Sequence, residues 1–230
     1  MVLRVIFNKK NYMRYISHLD LMRLFQRSFN RADIPVKYSE GFNPQPKFSI
    51  AAPLSLGIES EEEYMDIELE YVPINEFIDR MNKVLPKDVQ IVKAKYLDKS
   101  GSINSIIEWA DYEFNFDIEN METLEKLDEM VSSWLKSHEI IVTKISKKKG
   151  KEDKKEVDIK PFIKDVEVKK NGENIILKAR IKTGSNGNLN PVDFIHALDK
   201  GCNLNIDMDS LRIKRIGLYG EKNGKLYKPL

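Results

Sequence analysis

Tyr38-Ser39-Glu40-Gly41-Phe42-Asn43-Pro44-Gln45-Pro46-Lys47 carries two prolines alternating with polar residues. Proline lacks a backbone donor and drives the residue before it into an extended shape, so neither a helix nor a central strand holds this stretch. Asn43 and Gln45 should be extended, and Gly41 is free to take a positive φ. The decapeptide therefore separates a helix before it from a strand after it. It gathers two rings (Tyr38, Phe42), side-chain amides and a lysine on one stiff loop. Such a loop either presents groups to a ligand or is a rigid connector, and both readings stand on these residues.

Working backward, Ser17 opens a helix, with Asp20 three positions on completing a capping pattern. The helix should run to about Ala32, with Pro35 just beyond. At 100° steps Leu21, Met22, Phe25, Phe29 and Ala32 form a core face, while Arg23, Arg27 and Arg31 line the opposite side. Arginines at i, i+4 repel one another mildly, so the row is either a solvated face or a phosphate contact. His18, at the first helical position, should be neutral because the helix dipole disfavours an imidazolium. It either fixes the helix entry or acts as a base or donor. Before the helix, Leu3 to Phe7 reads as a strand and Lys9-Lys10-Asn11 as a polar turn.

Working forward, Phe48 to Ala52 and Leu54 to Leu56 read as a strand ending at Gly57, and Glu59 to Glu63 as an acidic turn. Tyr64 to Tyr71 alternates, a hairpin partner with Asp66 and Glu68 on one wet face. Pro73 to Val84 is a second helix stopped by Pro86, and Val89 to Tyr96 a fourth strand. The order β-α-β-β-α-β is the ferredoxin-like one. After a linker-like stretch the plan repeats loosely. Trp109 to Ile118 is a strand and Met121 to Leu135 a helix. Ile140 to Ile145 is a strand, followed by a charge run, Lys147 to Glu156. Two strands should then pair across a turn at Asn171-Gly172, before a helix capped by Asn190 with Pro191 at its first position, and a last strand from Leu211 to Tyr219. The expected fold is α+β, a tandem of two ferredoxin-like βαββαβ-type units with antiparallel sheets: 1–98, a linker at 99–107, and 108–230.

The net charge is only +2, but residues 1–50 carry nine Lys/Arg against three Asp/Glu. A basic first fifth suits contact with nucleic acid. The single cysteine, Cys202, excludes an internal disulfide and any cysteine-based metal cluster, and fits a reducing, cytoplasmic setting. His18, His138 and His196 are far apart, so no metal site and no cofactor are expected. Arg4 follows Met1-Val2-Leu3 with no sustained apolar run, so neither a secretion leader nor a membrane span is expected. Phosphate-binding glycine loops and nucleophile elbows do not occur.

Ser17-His18-Leu19-Asp20-Leu21, Tyr38 to Lys47, Pro53-Leu54-Ser55-Leu56-Gly57 and Glu63-Tyr64-Met65-Asp66-Ile67-Glu68 together resemble the signature of the bacterial family DUF2344. Val157-Asp158-Ile159-Lys160-Pro161 and Asn190-Pro191 resemble its second half. The family often has a histidine where Gln45 stands, so no titrating or metal-binding role is expected at that position. Members stand alone or are fused behind a cobalamin-binding-type radical S-adenosylmethionine protein. The resemblance implies an accessory module acting with such an enzyme on structured RNA in tRNA or rRNA modification or processing. Candidate RNA- or substrate-binding residues are Ser17, His18, Asp20, Arg23, Arg27, Tyr38, Ser39, Gly41, Phe42, Asn43, Gln45 and Lys47. Arg23, Arg27 and Lys47 would meet phosphates, and Tyr38 and Phe42 would stack on a base. Two rivals stand beside this. One is a metal-independent endoribonuclease with His18 as general base. The other is a protein-interaction module that docks on the radical SAM enzyme through the acidic stretch Glu59 to Glu70.

Overall fold

The computed structural model describes residues 1–98, 101–118, 120–148, 151–171 and 174–230. The chain divides into two compact units, one of Met1–Ala110, Thr183–Asn186 and Lys214–Leu230, the other of Asp111–Lys182 and Gly187–Ile213. Both are α+β, and their ladders are mostly antiparallel. No helix of the described residues is long and apolar enough to cross a membrane.

The first unit starts with β1 (Val2–Lys9), a 3-10 turn (Asn11–Tyr15), α1 (His18–Arg31), β2 (Phe48–Ile50), β3 (Glu59–Glu68), α2 (Ile74–Val84) and β4 (Ile91–Leu97). β1 pairs antiparallel with β3 (Leu3↔Ile67) and with β4 (Leu3↔Tyr96), and β2 pairs antiparallel with β3 (Phe48↔Ile67). The spatial order β4-β1-β3-β2 on a βαββαβ chain is the ferredoxin-like arrangement. Leu3, Val5 and Phe7 of β1 meet Leu21, Phe25 and Phe29 of α1 and Phe77 and Met81 of α2 in one core. Phe7 meets Phe25 edge-on at 4.8 Å between ring centres, and Phe29 meets Phe48 at 5.2 Å. Each such ring withdraws enough apolar area to contribute about 1.5–3 kcal/mol. Asn82 pins α2 to β4 by bonding Ile91 N–H at 2.8 Å and its carbonyl at 3.0 Å.

The remaining elements are α3 (Ile103–Ile106), β5 (Trp109–Asp117), α4 (Met121–Lys136), β6 (Ile141–Lys148), β7 (Lys151–Asp158), a 3-10 turn (Lys160–Phe162), β8 (Ile163–Asn171), β9 (Asn174–Lys182), α5 (Pro191–Cys202), β10 (Arg212–Lys222) and β11 (Lys225–Tyr227). In the second unit the ladder order is β5-β9-β8, and the charge run forms the β6–β7 hairpin. Setting that hairpin aside, the chain order β5-α4-β8-β9-α5-β10 is again βαββαβ, compatible with a tandem. Asn190 caps α5 by accepting from Val192 N–H at 2.9 Å, and Phe194 of that helix packs on Phe114 and Trp134. Of the turn expected at Asn171-Gly172, Asn171 is the last residue of β8 and Gly172 lies outside the described residues.

Four expectations fail, three of them for one reason. Lys9 is not in a polar turn but is the buried last residue of β1. Glu59 to Glu63 is not a turn but the first half of β3. The face of β3 that alternation leaves wet is covered in part: Tyr64 is fully buried and Asp66 forms a bidentate pair with the buried Arg4 at 2.7 and 2.8 Å, while Glu68 on the same face is exposed as expected. Arg4 also donates to the carbonyls of Gly101 and Pro229, so residues around α3 and the last residues of the chain roof that face. Pattern along a strand cannot report a roof delivered from so far along the chain. Separately, Leu54 to Leu56 is a loop. Pro53 removes a ladder donor, and Ala52 beside it takes φ +44°.

Candidate nucleic-acid interface

The proline stretch folds as a short hairpin on the end of β3. Lys37 N–H donates to Glu68 carbonyl at 2.8 Å, and Glu68 N–H donates to Lys47 carbonyl at 2.9 Å. Above them Lys47 N–H reaches Lys37 carbonyl at 2.7 Å, and Ser39 N–H reaches Gln45 carbonyl at 2.8 Å. Tyr38 and Pro46 face each other between those two bonds. An antiparallel ladder asks no donor of that non-bonded pair, so proline stiffens the stem without orphaning an acceptor. Ser39 Oγ accepts from Gln45 N–H at 2.9 Å, which closes the upper stem. Gly41 turns the tip with φ +124° in open space. Asn43 and Gln45 are exposed beside it.

The tip holds Phe42 out at 112% relative exposure, and Tyr38 is 45% exposed. Tyr38 is not loose: its hydroxyl donates to Asn30 Oδ1 of α1 at 3.1 Å. Arg27 lies three residues before Asn30 on α1, a neighbour on the helix surface. It is exposed and has no ion-pair partner among the described residues. Arg23, one turn further back, pairs with Asp20 at 3.0 Å. Arg31 is tied inward by a bond to the Val84 carbonyl. The arginine row is therefore unequal, with Arg27 the member left for an outside anion.

Ser17, His18 and Asp20 sit at the other end of α1, about 15–20 Å from Asn30 at 1.5 Å per residue. Ser17 is the N-cap: its Oγ accepts from Asp20 N–H at 3.1 Å and donates to Asp20 Oδ2 at 2.7 Å. The Ser17 bond, then the Arg23 bond, hold the Asp20 carboxyl below the usual carboxylate range. Ser17→Ala is expected to destabilise by about 1 kcal/mol in urea unfolding. Because the folded Asp20 titrates low, its share is intact above the ordinary carboxylate range and is lost as pH falls through the lowered value. The Ser17→Ala deficit should shrink over that acid interval.

His18 is half-buried. Burial lowers its pKa first, the Glu63 carboxylate opposes, and the Lys9 ammonium lowers it further. It is a neutral ring at the edge of a buried charge cluster that local sequence does not reveal. Lys9 is 2% exposed, Glu63 2% and Arg215 1%. Lys9 Nζ donates to the carbonyls of Ile16 at 3.1 Å and Arg14 at 3.4 Å. Arg215 grips both oxygens of Glu63, with Nε–Oε1 at 2.8 Å, and its Nη2 donates to Ala52 carbonyl at 2.9 Å. Arg215 arrives on β10, which pairs in parallel with the start of β3 (Arg215↔Ser60). Desolvation makes the Lys9 ammonium easier to deprotonate, Glu63 opposes, and Arg215 adds to the lowering.

Lys47 lies apart from the arginines. Phe48 packs on α1, so by strand alternation its neighbours Lys47 and Ser49 face away. Lys47 lines a hollow of about 380 Å³ with Ser49, Asp66, Glu68 and Ser102. The structure thus gathers Arg27, Asn30, Tyr38 and the Phe42 tip at one end of α1. Ser17, His18 and Asp20 lie at the other end, and Lys47 on the far side of the strand.

Three further acidic residues of β3 meet cations of the protein itself. Glu59 pairs with Arg14, Glu61 with Lys10 and Lys214, and Glu62 with Lys228. Glu68 and Glu70, at the end of the stretch Glu59 to Glu70, are exposed.

A family model described as an uncharacterized protein conserved in bacteria, DUF2344, matches residues 3–191. No curated protein matches the chain. Among solved structures, a chain in a crystal structure of a Cbf5-Nop10-Gar1 complex is similar, with a TM-score of 0.52 at 8% identity. The match covers 94% of this chain and 48% of that one, so this chain spans about half the length of the protein it resembles. At that identity the likeness speaks for the fold alone.

Proposed function

We propose, for a chain that belongs to the conserved bacterial family DUF2344, the role of an accessory RNA-binding module that presents structured RNA to a radical S-adenosylmethionine enzyme. One observation carries the RNA reading: a fully exposed phenylalanine on a hairpin tip that proline and four backbone bonds hold rigid. An exposed ring at the end of a flexible loop would fold back onto apolar surface. Phe42 is prevented from doing so and offers both faces to a base. Tyr38 supplies a second, oriented ring, and Arg27 a phosphate contact beside it. The stiffness matters because little conformational freedom is then lost on binding.

Binding of the full chain to bulk tRNA and to rRNA fragments tests this reading. Aromatic stacking contributes about 1–3 kcal/mol per base, so Phe42→Ala should weaken binding roughly tenfold. Arg27→Ala should weaken it less and reduce the slope of log affinity against log salt by about one. Affinity that ignores salt, or that Phe42→Ala leaves untouched, ends the proposal. The enzyme partner is a separate matter, tested by affinity capture from cells. Recovery of RNA without any radical SAM enzyme would remove the partner and keep the binding role.

A further inference from the structure

A second ring is held open elsewhere in the first unit. At the far end of β1 the chain turns through Asn11 at φ +48° and enters the 3-10 turn, which leaves Tyr12 85% exposed. Tyr12 rims a hollow of about 340 Å³ whose other lining residues are Asn11, Arg14, Glu59, Lys87 and Asp88. This is the small end of the range of ligand cavities.

The polar groups of the hollow are fixed in place. Glu59 Oε1 accepts from Asn11 N–H at 3.0 Å and Arg14 Nη1 at 3.2 Å. Asp88 Oδ1 accepts from Asn11 Nδ2 at 2.7 Å, and Asp88 carbonyl takes Lys10 N–H at 2.9 Å. Each carboxylate thus spends one oxygen on the scaffold. Among the described residues, Glu59 Oε2 and Asp88 Oδ2 receive no hydrogen bond. The exposed Lys87 is the cation on the rim. The hollow combines a ring face, spare carboxylate acceptors and one outlying ammonium.

We propose that this hollow takes a single unpaired guanosine of the bound RNA, with the base on Tyr12, its Watson–Crick edge on the Asp88 and Glu59 carboxylates, and its phosphate toward Lys87. Guanine is the base whose pairing edge offers adjacent donors, N1–H and N2–H₂. Adenine, cytosine and uracil each offer that edge one donor group beside an acceptor, which a carboxylate repels. This rests on the RNA reading of the Phe42 hairpin, but it concerns different residues.

Calorimetric titration of the full chain with GMP, AMP, CMP and UMP tests it. GMP should bind about tenfold more tightly than the others, in line with the discrimination of a two-bond base contact. Asp88→Asn keeps the acceptor for Asn11 but replaces the spare oxygen with a donor, and should abolish the preference. Tyr12→Ala, at an exposed site, should abolish GMP binding, while Phe42→Ala should leave it unchanged. Equal binding of the four nucleotides, or a GMP preference that survives both Tyr12→Ala and Asp88→Asn, overturns the proposal. Phe42-dependent RNA binding without GMP preference would sink the guanosine site alone. GMP preference in a chain that binds no RNA would sink the RNA reading alone.

Discussion

Glu63→Ala is expected to destabilise the protein by about 3–5 kcal/mol, read as a lower midpoint in urea or guanidinium unfolding, because it removes one partner of a buried ion pair. Arg215 is 1% exposed and spends two nitrogens on Glu63. Without that carboxylate the guanidinium loses the anion it grips with both nitrogens, and the buried Lys9 ammonium loses the charge that opposes its desolvation. The double change Glu63→Leu with Arg215→Leu should cost less than Glu63→Ala alone, since it removes both charges together. A double variant as unstable as the sum of its parts would mean that Lys9, not Arg215, is the partner that matters. The same substitution has a second readout. Glu63 is the group that raises the His18 pKa against burial and Lys9. In Glu63→Ala the imidazole should titrate at still lower pH, visible by NMR.

Gly184→Ala should cost roughly 2–6 kcal/mol, adding backbone strain of about 1–3 to overpacking of about 1–3 kcal/mol. Gly184 has φ +99°, and a Cβ there would lie 2.3 Å from the Ile107 carbonyl oxygen. A backbone oxygen cannot swing aside as a side-chain tip can. Gly41→Ala is the control: φ is +124°, but nothing stands within 4 Å, so only the strain is incurred. Similar losses at the two positions, compared by denaturant unfolding, would refute the steric account. The glycine at 184 is thereby explained by its close approach to the Ile107 carbonyl.

The elements that were legible in the sequence are those whose causes are local. Ser17 with Asp20, the spacing of Leu21, Phe25 and Phe29, and the stops at Pro35 and Pro86 all act within one or two helical turns. α1 and α2 accordingly match their expected limits to within a residue. The Pro44/Pro46 loop was also legible as stiff, because proline acts on its own and the preceding residue. Lys9, Glu63 and Asp66 were misread because a charged residue signals solvent unless its partner is known. Glu63 meets Arg215 152 residues on, Asp66 meets Arg4 62 residues back, and Arg4 is itself covered by Pro229. The candidate site divides the same way. The ring display was foreseeable from the loop, whereas the distance from His18 to Tyr38 follows from helix length. The inward tie of Arg31 and the outward turn of Lys47 depend on Val84 and on the pairing of β2.

Arg215 stands 152 residues after Glu63. A ribosome adding about 5–20 residues per second needs roughly 8–30 s to cover that interval. Through all of it the nascent first unit holds the Glu63 carboxylate without the guanidinium that grips it, so this unit is completed only after the second, which ends at Ile213, has been made.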